Sequence, residues 1–218
     1  ATSGKTTATL SENGKHYILN GEKCFITNGR WSDILTVLVL VDVDKFSGIL
    51  VEKGTEEFEI GAEEKKMGMK GSSTTSLKFT DCKVPVENLL YEVGKGTDIA
   101  FNALNIGRYK LAASCLGGAK TCIEETIKYV NERRQFGQAI ANFDAIKGKV
   151  ADITFRTYCC ECMTYRTIGL IPNANDELDP AAEVYYIQMG KAMEKYAIEA
   201  SMAKIYGSAT SDEIIDTG

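Results

Sequence analysis

From Lys5 to about Val93 the chain is written in short apolar runs separated by turn residues. TTATL (6–10), HYIL (16–19), KCFIT (23–27), DILTVLVLVD (33–42), GILVEKG (48–54) and TSLKFTDCKV (75–84) each have the length and composition of a strand. Alternation is clearest in the last, where Leu77 and Phe79 fall on one face and Lys78 and Thr80 on the other. Ile34–Val41 is almost wholly apolar, the pattern of a strand buried on both faces. Asn20-Gly21 and Asn28-Gly29 bracket one of the runs. Because Asn-Gly accepts positive φ at both central positions of a tight turn, the pair of them predicts two linked antiparallel strands. A sharper reading is that the turns pin Phe25 and Thr27 against something bound there. Pro85 then ends the ladder. Strands at this spacing predict a small antiparallel barrel or sandwich.

From about Gly96 the period becomes helical. Leu116, Ala119, Ile123, Ile127 and Val130 recur at three and four residues and make one apolar stripe. The first helix is expected from Thr97-Asp98 to Arg133-Arg134, with acids at its start, cations at its end and Gly137 beyond. A second is expected from Asn142 to Ile171, stopped by Pro172. A third starts at Asp179-Pro180 and continues past Tyr206. Short connections between long helices predict an antiparallel bundle. The fold class is therefore α+β, with a β domain over 1–94 and a helical bundle over 95–218.

Composition narrows the chemistry. A net charge of −5 argues against nucleic acid as the main partner. No apolar run reaches the ~20 residues of a membrane-spanning helix. The seven cysteines are odd in number and scattered, which suits reduced thiols better than a disulfide framework. In YCCECM (158–163), Cys159 and Cys162 share a helical face, yet His16 is the sole histidine and no second cysteine pair is near. These are read as buried structural thiols and no metal site is assigned. One histidine also argues against Ser-His-Asp and Cys-His hydrolases. Neither the dinucleotide-binding glycine fingerprint nor the phosphate-loop pattern is present.

Four motifs in succession, NGEKCFITNG, KKMGMKGSSTTSLKFTDCKVPVENLL, GKGTDIAFNALNIGR and NERRQFGQAI, resemble those of the acyl-CoA dehydrogenase family. The resemblance covers essentially the whole chain and is nearest to the very-long-chain branch. It implies a flavoprotein with an N-terminal helical domain, a middle β domain and a C-terminal four-helix bundle, of which this chain supplies the second and most of the third. FAD would lie between them. The implied reaction is α,β-dehydrogenation of a fatty acyl-CoA to the trans-2-enoyl-CoA in β-oxidation, with electrons passing to an electron-transfer flavoprotein. The implied assembly is a homodimer or homotetramer, and the implied compartment a mitochondrial matrix or bacterial cytoplasm.

The resemblance also assigns residues. Phe25-Ile26-Thr27 matches the segment beside the isoalloxazine ring, where an aromatic packs on the flavin and a hydroxyl and nearby amides bond the ring edge. Arg133 and Phe136 match positions that contact the FAD of a neighbouring subunit; a guanidinium fork suits a diphosphate. Asn105 and Arg108 match positions lining the acyl-CoA channel, and their three-residue spacing places both on one helical face. Ser72, Ser73 and Thr74 match a segment beside the flavin and the CoA entrance. Asp144 stands where the family often has Gln, and that phosphate contact is not carried over. No catalytic residue is assigned. The family's EPxxGSD loop is expected just before Ala1 and its catalytic Glu beyond Gly218, while the alternative position for the base is Gly107, which cannot take a proton. The 218 residues alone are thus expected to be inactive. Two other functions share the motifs: a dehydrogenase-like assembly factor for a respiratory complex, and an acyl-CoA oxidase.

Overall fold

The computed structural model describes residues 4–175, 178–182 and 184–218. The chain divides into two compact units, Ala1–Ala100 and Phe101–Gly218.

The first unit is built on one seven-stranded sheet. In chain order its strands are β1 (Thr7–Leu10), β2 (His16–Thr27), β3 (Ile34–Val41), β4 (Lys45–Glu52), β5 (Phe58–Glu63), β6 (Thr74–Pro85) and β7 (Leu89–Leu90). Their spatial order is β5-β6-β2-β1-β3-β4-β7. The expected barrel is corrected to an open sheet with β5 and β7 at its edges, and the ladder is mixed because β1 and β3 run parallel. Leu19, Val37, Val39, Ile49, Val51, Leu77, Phe79 and Val84 form the core of the unit. Phe58 stacks on Phe79 at 5.0 Å between centroids.

Several expectations change here. β3 is not buried on both faces: Leu35, Val37, Val39 and Val41 are covered, but Ile34 and Thr36 are exposed. Asn20-Gly21 is no hairpin turn, since it lies inside β2. There Asn20 alone opposes Thr80 and Asp81 of β6, a bulge closed by reciprocal 2.9 Å bonds: Asn20 Nδ2 to Asp81 Oδ1, and Asp81 N to Asn20 Oδ1. Gly21 has φ +133°, and a Cβ on it would sit 2.8 Å from Thr6 Cα, so the close approach of the residue preceding β1 excludes a side chain. The hairpin glycine is Gly14 (φ +67°), between β1 and β2. Asn28-Gly29 does turn the chain, but toward β3, which pairs with β1 and β4 rather than with β2. Pro85 closes β6, yet Leu89–Leu90 rejoin the sheet on β4 after one turn of 3-10 helix at Val86–Asn88. β5 (FEIGAE), an acidic edge strand, escaped the pattern reading.

The second unit is helical. Helix α1 (Gly96–Glu132) begins in the first unit and matches its expected ends within two residues. A short hairpin follows, β8 (Arg134–Gln135) with β9 (Gln138–Ala139). Helix α2 (Asp144–Asn175) runs beyond Pro172: near a helix end the missing N–H removes one bond without stopping the turn. The expected third helix is two, α3 (Tyr185–Glu194) and α4 (Ala197–Thr217), separated at Tyr196 (φ −108°, ψ 24°). Asp179 caps a turn rather than a helix, its Oδ1 accepting from Ala181 N at 2.9 Å. On α4 the buried residues Ala200, Ala203, Gly207, Thr210 and Ile214 recur at three and four. The small residues among them let α4 approach α1 closely, and a Cβ on Gly207 would lie 3.2 Å from Ala112 Cα. Ala119, Ile153 and Ile214 join α1, α2 and α4 in one core cluster.

All seven cysteines are free thiols. Of the YCCECM cysteines only Cys160 is buried; Cys159 is half-buried and Cys162 exposed, which corrects the reading of the cluster as core. Burial pushes the Cys82 thiol up to about 11, with Glu57 adding to the shift, so it is unreactive near neutrality.

Candidate functional site

The segment singled out in the sequence lies on a second bulge of β2. Lys23 pairs with Leu77 and Ile26 with Thr75, so Cys24 and Phe25 together oppose Ser76. β5 is bulged at the same place, Gly61 and Ala62 also facing Ser76 between the Ile60–Leu77 and Glu63–Thr75 pairs. A Cβ on Gly61 would fall 2.3 Å from Ser76 Oγ, so any larger residue there would force that hydroxyl to rotate aside. The bulge places Phe25 at φ +55°, left-handed backbone that costs a non-glycine residue about 1–2 kcal/mol. Its ring is 71% exposed. Ile26 packs on the core and Thr27 is exposed. A strained backbone presenting a bare aromatic is unfavourable twice over for the isolated sheet.

Thr27 ends β2 opposite Thr74, the first residue of β6. Asn28 N then donates to Ser73 O at 3.0 Å. Glu63 accepts from Ser73 Oγ at 2.7 Å and from Thr74 N at 2.9 Å, and pairs with Arg30 Nε at 3.2 Å. The Ser73 hydroxyl above all, then the Thr74 amide, hold the Glu63 carboxyl below its usual range, with Arg30 and Lys66 adding smaller contributions. Lys66 Nζ donates to Ser72 O, to Ser72 Oγ at 2.9 Å and to Thr74 Oγ1 at 3.1 Å. A cavity of about 570 Å³ opens beside this network, lined by Trp31, Glu63, Lys66, Lys70 and Ser73 among others. Sequence reasoning named Ser72–Thr74 but missed Glu63, Lys66 and Ser76. The available signal was Gly61 inside a strand, which marks a bulge.

In the helical unit, Arg133 and Phe136 stand together after α1. Arg133 is exposed and tied to the helix by its backbone N–H on Tyr129 O at 2.8 Å. Phe136 and Gly137 form the two-residue loop of the β8–β9 hairpin at φ +51° and +84°, the signs of a type I′ turn. Asn-Gly is the usual pair there; here the first position holds a phenylalanine that is 92% exposed. Its ring meets Phe143 edge-on at 6.1 Å. Asn105 and Arg108 do share a face of α1: Arg108 Nη1 donates to Asn105 Oδ1 at 2.8 Å, and Asn105 is buried. Asp144 opens α2 and pairs with Lys147 at 3.1 Å. A Cβ on Gly107 would meet nothing within 4 Å. No cluster of three or more potential metal ligands occurs among the described residues.

Residues 1–82 match the acyl-CoA dehydrogenase middle domain and residues 94–218 the acyl-CoA dehydrogenase C-terminal domain. A probable acyl-CoA dehydrogenase of Bacillus subtilis (strain 168) is 46% identical over all of this chain, which covers 37% of that protein. The mitochondrial very long-chain specific acyl-CoA dehydrogenase of Macaca fascicularis is 35% identical over 99% of the chain and 32% of its own length. An acyl-CoA dehydrogenase of Bacillus anthracis, solved in complex with FAD, superposes with a TM-score of 0.92 at 44% identity, over 99% of this chain and 37% of that one. The chain thus spans about a third of the length of these relatives. Two adjoining domain matches in the family's own order, with a sheet unit followed by a helical one, leave one conclusion: the chain belongs to the acyl-CoA dehydrogenase family.

Proposed function

We propose that this chain is the flavin-facing part of an FAD-dependent acyl-CoA dehydrogenase that converts a fatty acyl-CoA to its trans-2-enoyl-CoA. One observation carries the reading. The two phenylalanines that the family resemblance assigns to FAD, Phe25 beside the flavin ring and Phe136 on the cofactor of a neighbouring subunit, are both held at positive φ and both left bare. Neither conformation nor exposure helps the chain alone, and a planar apolar ligand would offset both. The donor set fits as well: Thr27 offers a hydroxyl at the open end of β2, and Arg133 offers an exposed guanidinium for a diphosphate.

When bound, FAD would supply the acceptor for the hydride that leaves the β-carbon while a base takes the α-proton. The chain's own residues orient. Phe25 would pack against the ring and Thr27 and the neighbouring amides would bond its edge, with the sheet bulges holding both within the small tolerance that hydride transfer demands. Arg133 and Phe136 reach the cofactor of a neighbouring subunit, so the working unit is at least a dimer. Asn105 and Arg108, locked together by their hydrogen bond, line the acyl-CoA channel. No residue of this chain is assigned as the base, and the 218 residues by themselves are proposed to be inactive. Electrons pass on to an electron-transfer flavoprotein, in a mitochondrial matrix or bacterial cytoplasm; no helix among the described residues is long and apolar enough to cross a membrane.

The test is anaerobic titration of the FAD-loaded enzyme with acyl-CoA thioesters of graded length, followed at the flavin absorbance. Bleaching by fatty acyl-CoA supports the proposal. A protein that binds FAD but is not bleached by any of them would refute the dehydrogenase reading, and rapid oxygen consumption without an electron-transfer protein would point to an oxidase.

A further inference from the structure

We propose that Glu63 is a positioning residue for the flavin-facing segment, acting on Thr27 through the Ser73–Thr74 end of β6. This rests on the reading of Phe25–Thr27 given above. Thr27 and Thr74 form the last rung between β2 and β6, and beyond it Asn28 N donates to Ser73 O. A terminal rung is the part of a ladder most prone to open. One carboxylate closes this one from both flanks. On the β6 side it receives the Ser73 hydroxyl at 2.7 Å and the Thr74 amide at 2.9 Å. On the β2 side it holds Arg30, three residues past Thr27, whose Nη2 also donates to Gly61 O at 3.1 Å. Lys66 secures the same β6 end through Ser72 and Thr74.

The bulge on β5 decides that a carboxylate stands there at all. A regular ladder continuing from the Ile60–Leu77 pair would set Ala62 opposite Thr75; the extra residue brings Glu63 to that place instead. The same bulge at Ser76 is mirrored on β2 by Cys24–Phe25. The irregularity that presents Phe25 and the one that delivers Glu63 therefore share a single β6 residue.

The experiment uses the FAD-loaded enzyme and four variants: Glu63→Ala, Glu63→Gln, Thr27→Val and the Glu63→Ala/Thr27→Val pair. The readouts are FAD affinity and the position of the flavin's visible absorption band. A charged hydrogen-bond acceptor is worth roughly 10- to 100-fold when buried, and Glu63 is half exposed, so Glu63→Ala should weaken FAD about 3- to 10-fold and shift the band. Glu63→Gln keeps one acceptor and the shape, and should fall between. Because Glu63 acts through Thr27, the double variant should lose less than the two singles combined. A merely structural Glu63 would lower stability, leave the band in place and add independently to Thr27→Val; that result overturns the inference, as does a Glu63→Ala protein with wild-type FAD affinity and band while Thr27→Val shifts both. If Thr27→Val itself changes neither, the flavin-facing reading fails and this inference with it.

Discussion

Phe136→Asn separates strain from function at a single side chain. Phe136 occupies the first position of a two-residue hairpin loop at φ +51°, followed by Gly137 at φ +84°. A non-glycine residue pays about 1–2 kcal/mol for that conformation, whereas Asn tolerates it, and Asn-Gly is the pair such a turn prefers. Little packing is lost in exchange. With 92% of the residue exposed, the remaining burial is worth only ~0.2 kcal/mol of the ~1.5–3 kcal/mol that full burial of a phenylalanine gives. The edge-on contact with Phe143 adds ~0.5 kcal/mol at so exposed a site. The balance is a gain of roughly 0.3–1.3 kcal/mol, which moves the urea midpoint upward by a few tenths molar at a slope of ~2 kcal/mol/M. Circular dichroism of the chain without FAD reads it. In the assembled enzyme the same substitution should weaken FAD retention, read by the flavin released on gel filtration. A variant that loses more than ~1 kcal/mol would show that Phe136 holds the hairpin together. A variant that is more stable and keeps FAD as well as the wild type would remove Phe136 from the cofactor site.

Other predictions follow from local geometry. Gly21→Ala should cost about 2–5 kcal/mol, strain at φ +133° plus a contact of 2.8 Å with Thr6 Cα; an unfolding midpoint within error of wild type would contradict the bulge geometry. The Thr75 hydroxyl is buried without a hydrogen-bond partner among the described residues, so Thr75→Val should raise stability by ~0.5–1.5 kcal/mol, and a fall in the melting midpoint would argue against it. Glu63 has its pKa depressed in the folded chain, led by the Ser73 hydroxyl, so the unfolded chain binds the proton more readily. Its contribution is present above the ordinary carboxylate pKa and is lost as pH falls through the lower folded value. Urea midpoints measured along the acid limb should therefore decline less steeply in Glu63→Gln than in wild type; identical slopes would exclude the linkage.

Much of this was legible in the residues, for reasons that also explain the failures. Alternation located β6, and the three–four stripe located α1, because burial on one face imposes those periods over a dozen residues or more. Asn20-Gly21 misled because a glycine forced by a close backbone approach and a glycine forced by a turn look alike in sequence. Only the position of Thr6 tells them apart. Ile34–Val41 looked doubly buried because its outer face is apolar too, although Ile34 is 62% exposed. The motifs named Phe25 and Phe136, but their left-handed backbones follow from register shifts and loop length that no local pattern encodes. Glu63 was invisible for the same reason: one extra residue in β5 decides which side chain faces Thr75.

The central claim is that the bulge at Phe25 presents this segment to a flavin. A crystal structure of the FAD-loaded enzyme tests it most directly. The account predicts the isoalloxazine ring in van der Waals contact with Phe25 and within hydrogen-bond reach of Thr27, with Phe25 still at positive φ. A ring bound elsewhere, with Phe25 left bare or its backbone relaxed to an ordinary strand, would contradict it.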